Sequence, residues 1–358
     1  MGKVRYAVVG AGWISQEAFL PGVGQTGNSE VAAIVSGNAE AAHRLAAFHD
    51  VPQVCGYDGY DALIASGAVD AVYVALPNSL HADFAIRALR RGVHALVEKP
   101  LAPTIVECEA MIEAAEAGGA FLMTAYRLHN ELSTVEVLER VRRGEIGTPR
   151  LFHADFSFQS APGNHRLDPA HWGGPLQDIG VYCLNAARHV FGAEPLECVA
   201  MQGAAPGDDR FRGVHEALTA ILRFPDGALA SFACSFGAAA QDSYRITGTA
   251  GVLEVQRGFR FETVPRLRLV RGEMVETWEG PRMDQFGAQA AYFSDCILSG
   301  SPPEADGAEG LADVRALLAI EEAARSGGTV RIGGPERGAR PGLDTVRAVP
   351  PTDRRLVL

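Results

Sequence analysis

Two glycines near the start of the chain have the spacing of a nucleotide-binding turn. An apolar run from Val4 to Val9 leads directly into Gly10-Ala11-Gly12-Trp13-Ile14-Ser15. In a strand–turn–helix of this kind, the first glycine permits the tight turn and the second lets the backbone approach a pyrophosphate. Only the third position departs from the pattern, with Ser15 in place of Gly or Ala. The sequence predicts a dinucleotide contacted by Gly10, Gly12, Trp13 and Ile14.

The end of the second apolar run, Val31 to Val35, is where a residue that contacts the ribose is expected. Ser36-Gly37-Asn38 follow this run, and Arg44 comes soon afterwards. A carboxylate at this place would accept bonds from the ribose 2′-OH and repel a 2′-phosphate, so its absence favours NADP. The alternative is that Arg44 is an ordinary exposed helix residue and that either NADP or NAD binds.

Lysine is almost absent from the chain. Of the 32 Lys and Arg residues, only Lys3 and Lys99 are lysine. Arginine cannot give up its proton and cannot present a compact ammonium group, so a lysine retained under such a bias is a candidate for chemistry. Lys99 is the stronger candidate, because Lys3 lies close to the amino terminus.

The amino-terminal part alternates short apolar runs with helical segments. This pattern is typical of a doubly wound α/β sheet, in which loops after the strands face the ligand crevice. Asn78 and Lys99 both follow predicted strands. The predicted strands after the first two are 71–76, 93–97 and 121–125. The predicted helices are 39–48, 57–66, one that begins near Ser79-Leu80-His81, 104–117 and 131–142.

Longer alternating strands follow Gly147, and they predict an antiparallel sheet. Examples are Leu151–Phe158, Leu218–Phe224, Ala228–Phe236 and Tyr244–Thr247, with helices at 175–190, 286–298 and 309–325. The predicted fold class is α/β, a Rossmann domain plus an α+β domain with a large open, mainly antiparallel sheet. The predicted domains are residues 1–126 for the dinucleotide, 127–332 for substrate binding and oligomerisation, and 333–358 as a carboxyl-terminal tail.

Composition excludes several classes of function. The 358 residues carry a net charge of -11 without a basic cluster, which argues against nucleic acid as a partner. The six cysteines contain no C-x-x-C pair, so neither a metal site nor a disulfide framework is predicted. The sequence shows neither a transmembrane run nor an apolar leader, so we expect a cytoplasmic protein without membrane partners.

Several short motifs, taken in order, resemble one known family. They are Gly10-Ala11-Gly12, Pro77-Asn78-x-x-His81, Glu98-Lys99-Pro100, Tyr126-Arg127 and Asp178-Ile179-Gly180-Val181-Tyr182. Together they are similar to the glucose-fructose oxidoreductase / inositol dehydrogenase (Gfo/Idh/MocA) family, and most closely to its glucose-fructose oxidoreductase branch. The resemblance spans the chain from the first strand to the helix that ends near Arg325.

The resemblance implies a catalytic set. Tyr182 would transfer the proton of a sugar hydroxyl, and Lys99 would favour the phenolate form of Tyr182 and hold the reacting oxygen. Asp178 precedes Tyr182 by four residues, which on a helix places both side chains on one face. Asp178 would orient the sugar or pair with Lys99. Many family members carry His where this chain has Tyr182, which makes inositol-like activity a weaker expectation.

The resemblance also implies the residues that surround cofactor and substrate. Those expected at the cofactor are Leu76, Asn78, His81, Glu98, Lys99, Arg127 and Arg166. Substrate is expected to contact Lys99, Asp178, Tyr182 and His165. An aromatic residue commonly precedes the arginine at position 166 in this family, and His165 is a departure there.

The leading hypothesis is an NADP-preferring oxidoreductase that transfers hydride between nicotinamide and C1 of an aldose or a related polyol. Within the same fold, the alternatives are trans-dihydrodiol oxidation and redox-assisted glycoside cleavage. A nucleotide-sensing regulator without turnover is the alternative from a different class, and an intact Lys99, Asp178 and Tyr182 set disfavours it. By analogy with the family, a homodimer or homotetramer is expected to form through the open sheet.

Overall fold

A computed structural model of the chain describes residues 2–352 and 356–358. The chain forms two compact units. The first unit comprises Met1–Glu131, Arg282–Leu311 and Asp344–Leu358, and the second comprises Leu132–Pro281 and Ala312–Leu343. The chain first passes from one unit to the other after Glu131, near the boundary predicted at residue 126. It passes between the units again after residues 281, 311 and 343, which lie inside the predicted second domain and the predicted tail. The domain boundaries themselves stay a prediction.

Strands and helices alternate in the first part of the chain, and strands dominate the middle. The strands are β1 Val4–Val9, β2 Ser29–Val35, β3 Gln53–Cys55, β4 Ala71–Val74, β5 His94–Val97, β6 Leu122–Thr124, β7 Pro149–Ser157, β8 Glu197–Gly203, β9 Ala217–Arg223, β10 Leu229–Ser235, β11 Gln241–Gly248, β12 Val252–Gln256, β13 Arg266–Arg271, β14 Met274–Glu279 and β15 Val330–Arg331. The helices are α1 Leu20–Val23, α2 Ala39–His49, α3 Tyr60–Ala65, α4 His81–Leu89, α5 Ile105–Gly118, α6 Leu132–Arg142, α7 Val181–Phe191, α8 Gln285–Ser299 and α9 Gly307–Ser326.

The first unit contains a parallel sheet in the order β3-β2-β1-β4-β5-β6. Its central strands are apolar and buried along nearly their whole length, as expected when helices cover both faces of a sheet. This strand order is that of the dinucleotide-binding fold and confirms the predicted class. The α5 helix begins as predicted, because Thr104 Oγ1 accepts a hydrogen bond from Glu107 N (3.2 Å).

The second unit contains a mixed sheet in the order β14-β13-β12-β11-β7-β10-β9-β8-β15. Neighbouring strands run antiparallel except β7 and β10, which pair in parallel. Along β9, Leu218, Ala220 and Leu222 are buried while the intervening side chains are exposed, so only one face of this strand packs into a core. The predicted antiparallel sheet is therefore confirmed, and it is more extensive than the alternating segments alone indicated.

The helix predicted at 175–190 has a more complex start. Leu176–Gly180 form a π-helical turn, and the α-helix α7 follows from Val181. A Cβ atom at Gly180 would lie 3.0 Å from Leu176 Cδ1 and 3.2 Å from Cys234 Sγ, so this turn presses closely against the sheet. Helices with the length and apolarity needed to cross a bilayer are absent from the described residues.

Candidate active site

The turn after β1 has the shape that a dinucleotide pyrophosphate requires. Gly10 has φ +97°, and a Cβ atom on it would lie 2.5 Å from the carbonyl oxygen of Ala75, so no larger residue fits there. Gly12 is exposed and has open space around it. Ser15, the departure from the glycine pattern, donates from Oγ to the carbonyl of Gly10 (2.6 Å) and so braces the turn. These residues fit NAD(P) as the bound group.

The end of β2 carries polar groups in the place where the ribose is expected. Ser36 Oγ accepts from Asn38 N (3.1 Å), and Asn38 Oδ1 in turn accepts from Ala41 N (3.1 Å) as the cap of α2. Gly37 lies against the ring of Tyr57. Arg44 is exposed on α2, so its guanidinium is accessible to an anionic ligand.

His81 joins the ends of two neighbouring strands. Its side chain is fully buried, with Nε2 2.9 Å from the carbonyl oxygen of Leu76 and Nδ1 3.0 Å from that of Pro100. Burial lowers the pKa of His81, and the two carbonyl groups oppose this shift. This geometry supports a positioning role for His81, between the loop of Asn78 and the loop of Lys99. The predicted contact of His81 with the nucleotide stays a prediction.

Glu98 and Lys99 follow β5 and are both part-buried. The hydroxyl of Tyr73 donates to Glu98 Oε1 (2.6 Å), and the peptide N–H of Lys99 donates to Glu98 Oε2 (3.3 Å). Burial raises the pKa of Glu98, while the Lys99 charge and the Tyr73 hydroxyl oppose the rise. Lys99 therefore lies beside a buried carboxyl group, at the carboxyl end of a parallel strand.

Arg127 is a buried partner of α8. Its guanidinium donates to Gln285 Oε1, and it lies 5.8 Å from the ring centre of Phe286. The side chain is only 5% exposed. The contacts that the structure gives for Arg127 thus hold the segment after β6 against α8, and its predicted cofactor contact stays a prediction.

In the second unit, a compact loop leads from β7 to the start of α7. Arg166 and Asp178 form an ion pair within this region, with Arg166 Nε 2.8 Å from Asp178 Oδ2 and side chains 25% and 19% exposed. The structure gives Asp178 an ion pair with Arg166, and its predicted roles of orienting the sugar or pairing with Lys99 stay predictions. His165, directly before Arg166, is exposed.

Tyr182 stands in the first turn of α7, one turn after Asp178. Its ring packs against Phe156 and Phe259, with ring centres 5.9 Å and 6.3 Å away, and its side chain is part-buried. Phe259 is held by its own backbone, because its N–H donates to Asp242 Oδ2 (3.2 Å). The aromatic neighbours fix the ring and so determine the direction of the phenol.

The predicted site residues are divided between the two units. Lys99 and the residues of the glycine turn belong to the first, whereas Asp178, Tyr182, Arg166 and His165 belong to the second. Within the first unit, strand ends bring together the turn at Gly10 and the loops after β4 and β5. Within the second, the loop after β7 brings Arg166 to Asp178.

Some residues that build this region were not predicted from the sequence. Tyr73 holds Glu98, and Gln285 holds Arg127. In the second unit, Glu321 accepts hydrogen bonds from Trp172 Nε1 (3.1 Å) and from Gln177 Nε2. Local spacing contains no signal for these partners, which are distant in sequence. Trp172 was the one local signal of a tightly packed loop here, because tryptophan is rare in this chain and two glycines follow it.

Two family models match the chain. Residues 4–126 match the oxidoreductase family with an NAD-binding Rossmann fold, and residues 134–254 match the GFO/IDH/MocA C-terminal domain. Together these matches cover most of both predicted domains.

Curated relatives match over nearly their full length. A D-xylose 1-dehydrogenase [NADP(+)] of Haloarcula marismortui is 31% identical over 338 residues, covering 92% of this chain and 93% of the relative. A dTDP-3,4-didehydro-2,6-dideoxy-alpha-D-glucose 3-reductase of Actinomadura kijaniata is 32% identical over 325 residues, covering 90% and 96%.

Solved structures share the whole fold. An aldose-aldose oxidoreductase from Caulobacter crescentus, complexed with glycerol, has a TM-score of 0.87 at 35% identity and covers 92% of this chain and 99% of its own. A 3-ketoreductase from Actinomadura kijaniata, in complex with NADP and TDP-benzene, has a TM-score of 0.81 at 29% identity and covers 90% and 98%.

Proposed function

The chain belongs to the Gfo/Idh/MocA family of NAD(P)-dependent oxidoreductases, and from this premise we propose that it oxidises C1 of an aldose or a related polyol, with NADP preferred. The observation that carries the proposal is the phenol of Tyr182. It stands one helical turn after the Arg166–Asp178 ion pair, on a helix whose aromatic neighbours fix its ring. The sugar class is supported by the relatives that act on xylose and on aldoses.

Oxidation of a hydroxyl-bearing carbon removes a hydride and a proton. Bound NADP supplies the hydride acceptor. Tyr182 takes the proton from the hydroxyl oxygen, and Asp178 accepts a hydrogen bond from a neighbouring sugar hydroxyl while Arg166 keeps it oriented. In the reverse reduction Tyr182 donates the proton to the carbonyl oxygen.

Lys99 supplies positive charge for the reacting oxygen. A compact ammonium group stabilises the negative charge that develops when the hydroxyl loses its proton. Glu98 directly precedes Lys99. Burial raises the pKa of Glu98, and the Lys99 charge opposes that rise. Tyr73 and the peptide N–H of Lys99 hold the Glu98 carboxyl group in place, which restricts the loop that carries Lys99.

The preference for NADP follows from the end of β2. Ser36, Gly37 and Asn38 present no carboxylate to repel a 2′-phosphate, and the exposed Arg44 is a candidate to pair with one. The relative that oxidises xylose with NADP supports this assignment.

Reduction of a keto sugar is a second candidate. The Actinomadura kijaniata relative, a reductase of a dTDP-linked keto sugar, matches 90% of this chain at 32% identity, close to the match with the xylose dehydrogenase. The same residues serve both directions, because proton and hydride transfer are reversible.

The first experiment measures the nucleotide content of the purified protein. Its absorbance spectrum and extracted nucleotide are recorded. Aldoses including glucose and xylose, polyols and a 1,2-diol are then added with and without NADP or NAD, and keto sugars are added with the reduced nucleotides. We expect an aldose to reduce NADP, seen as the absorbance of reduced nicotinamide. If no aldose, polyol or diol is oxidised and no keto sugar is reduced with either nucleotide, the proposed function is refuted. Oxidation of the diol alone would instead establish a dihydrodiol dehydrogenase.

The two lysines of the chain provide a matched test of the site. Lys99→Arg keeps the charge but replaces the compact ammonium with a planar group, and we expect kcat to fall by about 10²-fold. Lys3→Arg is the control, because Lys3 is exposed and its Nζ lies 3.9 Å from Oε2 of the equally exposed Glu30. The kcat of this variant should match that of wild type. Equal kcat values for the two variants would remove Lys99 from the mechanism.

We also propose that the open face of the second unit's sheet forms the contact of a homodimer or homotetramer. Large apolar side chains are exposed on neighbouring strands of this face, namely Leu151, Val199, Met201, Ile221 and Leu229. Burying such side chains between copies would remove apolar surface from water. Light scattering should give a multiple of the 38.0 kDa chain mass, and Ile221→Glu should reduce it to the single mass. A single mass for wild type would refute the proposal.

A further inference from the structure

Glu321, on α9, holds the loop between β7 and α7 at two points. Its carboxylate accepts from Trp172 Nε1, which lies 3.1 Å from Oε1 and 3.2 Å from Oε2, and from Gln177 Nε2. All three residues belong to the second unit. Trp172 is part-buried and Gln177 is 4% exposed, so these donors have little access to water as an alternative partner.

Both donors lie between Arg166 and Asp178 along the chain. Trp172 follows Arg166 by six residues, and Gln177 directly precedes Asp178. Glu321 therefore restrains the segment that carries Arg166 through one bond and the segment that carries Asp178 through the other. It contacts neither member of the pair in these bonds.

The loop is tight enough to transmit this restraint. Gly173 N donates to the carbonyl of Asp168 (3.1 Å), and a Cβ atom at Gly173 would lie 2.5 Å from the carbonyl oxygen of Arg166. Trp172 has φ +52°, a left-handed conformation that non-glycine residues rarely adopt. A shift of Trp172 would thus displace the backbone of Arg166.

We infer that Glu321 is a positioning residue for the substrate end of the site: it sets the place of the Arg166–Asp178 pair through Trp172 and Gln177. The inference rests on the proposed function, because it assigns the pair a role in holding sugar. It requires an acceptor at position 321, since both the indole N–H of Trp172 and the amide N–H of Gln177 donate there and an aliphatic side chain accepts neither bond.

The charge of Glu321 has a cost that an apolar residue would avoid. Burial raises the pKa of Glu321, while the bonds from Trp172 and Gln177 oppose the rise. The neighbouring carboxylate, Glu322, shows the ordinary alternative: it pairs with Arg325 at 2.5 Å at the exposed surface of α9. The two adjacent glutamates therefore form a matched pair for experiment.

The principal test compares Glu321→Leu, Glu321→Gln and the control Glu322→Gln. Displacement of a substrate-binding group by about 1 Å can cost roughly 10²-fold in rate, so we expect Glu321→Leu to raise KM for the aldose about 10- to 100-fold. Glu321→Gln keeps one acceptor oxygen and should lie between Leu and wild type. Glu322→Gln should match wild type throughout.

A double-mutant cycle distinguishes positioning from general stability. Trp172→Phe keeps an aromatic ring but removes the N–H donor, so it breaks the same bond from the other side. If Glu321 acts through Trp172, KM of the double variant should rise by less than the product of the two single effects. Multiplicative effects, or a lowered melting temperature with unchanged KM, would overturn the inference.

Hydrogen exchange supplies a readout that does not need activity. We expect Glu321→Leu to speed exchange in residues 165–178, with exchange in β1 and β2 unchanged. If wild type acts on no sugar but this segment loosens, the restraint stands and the proposed function fails. If wild type is active while both KM and exchange in the segment are unaffected by Glu321→Leu, the proposed function stands and the inference fails.

Discussion

The two ends of α7 use charged and polar groups in opposite ways. At its start, Tyr182 is part-buried and the preceding Arg166–Asp178 pair keeps 25% and 19% of its side-chain surface exposed. Near its end, Arg188 is completely buried. Arg188 binds Glu194 through Nε (2.5 Å) and Asp313 through an Nη atom (2.7 Å), and the side chain of Asp313 is itself 0% exposed.

The two ends of α7 differ in what their charged groups can do: those at Arg188 stabilise the fold, whereas those near Tyr182 can contact a ligand. At Arg188, Asn185 also donates to Asp313 (3.0 Å) and Arg340 reaches Glu194 (3.1 Å), so the charges are enclosed by protein partners. Such a cluster is costly to break but offers no surface to a ligand. At Tyr182, partial exposure leaves the polar groups accessible to a substrate. Exposure, rather than the presence of charge, distinguishes the candidate site from the buried cluster.

Removing the phenol should give the largest effect. Tyr182→Phe retains the ring that packs against Phe156 and Phe259, so we expect the melting temperature to stay close to that of wild type. The group proposed to transfer the proton is lost, and kcat should fall by about 10²- to 10⁴-fold with an unchanged Kd for NADP. Steady-state kinetics with the best aldose measures the effect, and unchanged turnover would show that another group transfers the proton.

At the opposite end of the helix, Arg188→Met should affect stability instead of rate. It removes the buried cation from the Asp313 carboxylate, while Glu194 keeps its pair with Arg340, and breaking such a buried pair typically costs about 3–5 kcal/mol. Denaturant unfolding measures the loss, and kcat of the folded enzyme should remain within about threefold of wild type. Arg325→Met is the control, because its exposed pair with Glu322 should contribute only about 0–1 kcal/mol. Similar losses for both variants would contradict the comparison.

The smallest effect concerns the pH dependence of stability at Glu321. Because burial raises the pKa of Glu321 in the folded protein, its contribution to stability is complete below the unfolded pKa of about 4.3 and is lost as pH rises through the folded pKa. Glutamine does not ionise. We therefore expect the stability of Glu321→Gln relative to wild type to improve between about pH 4 and about pH 8.

Thermal melts at the two pH values measure this trend, with Glu322→Gln as the exposed control, which should show little change. A variant that becomes relatively less stable as pH rises would contradict the expected sign. Glu321→Gln is expected to raise KM for the aldose even at a pH where it does not reduce stability, so its effects on substrate binding and on stability can be measured separately.

Much of the fold could be predicted from local patterns. The run into Gly10-Ala11-Gly12 identified the nucleotide turn, and Thr104 identified the start of α5. The short strands β3 and β15 were missed. They have three and two residues, which is too few to show an alternation of apolar and polar side chains. The π-helical turn at Leu176–Gly180 was also missed, since it reflects close packing of Gly180 against Cys234, which is distant in sequence.

Local sequence was enough for the doubly wound α/β class, the glycine turn, the absence of a carboxylate after β2 and the four-residue spacing of Asp178 and Tyr182. These features depend on steric and helical rules that act over a few neighbouring residues. Folding adds partners that spacing does not predict: Arg166 beside Asp178, Tyr73 beside Glu98, and Glu321 beside Trp172, 149 residues away. A buried polar group bonds to whatever donor or acceptor the folded chain brings beside it, and that choice arises from packing rather than from spacing.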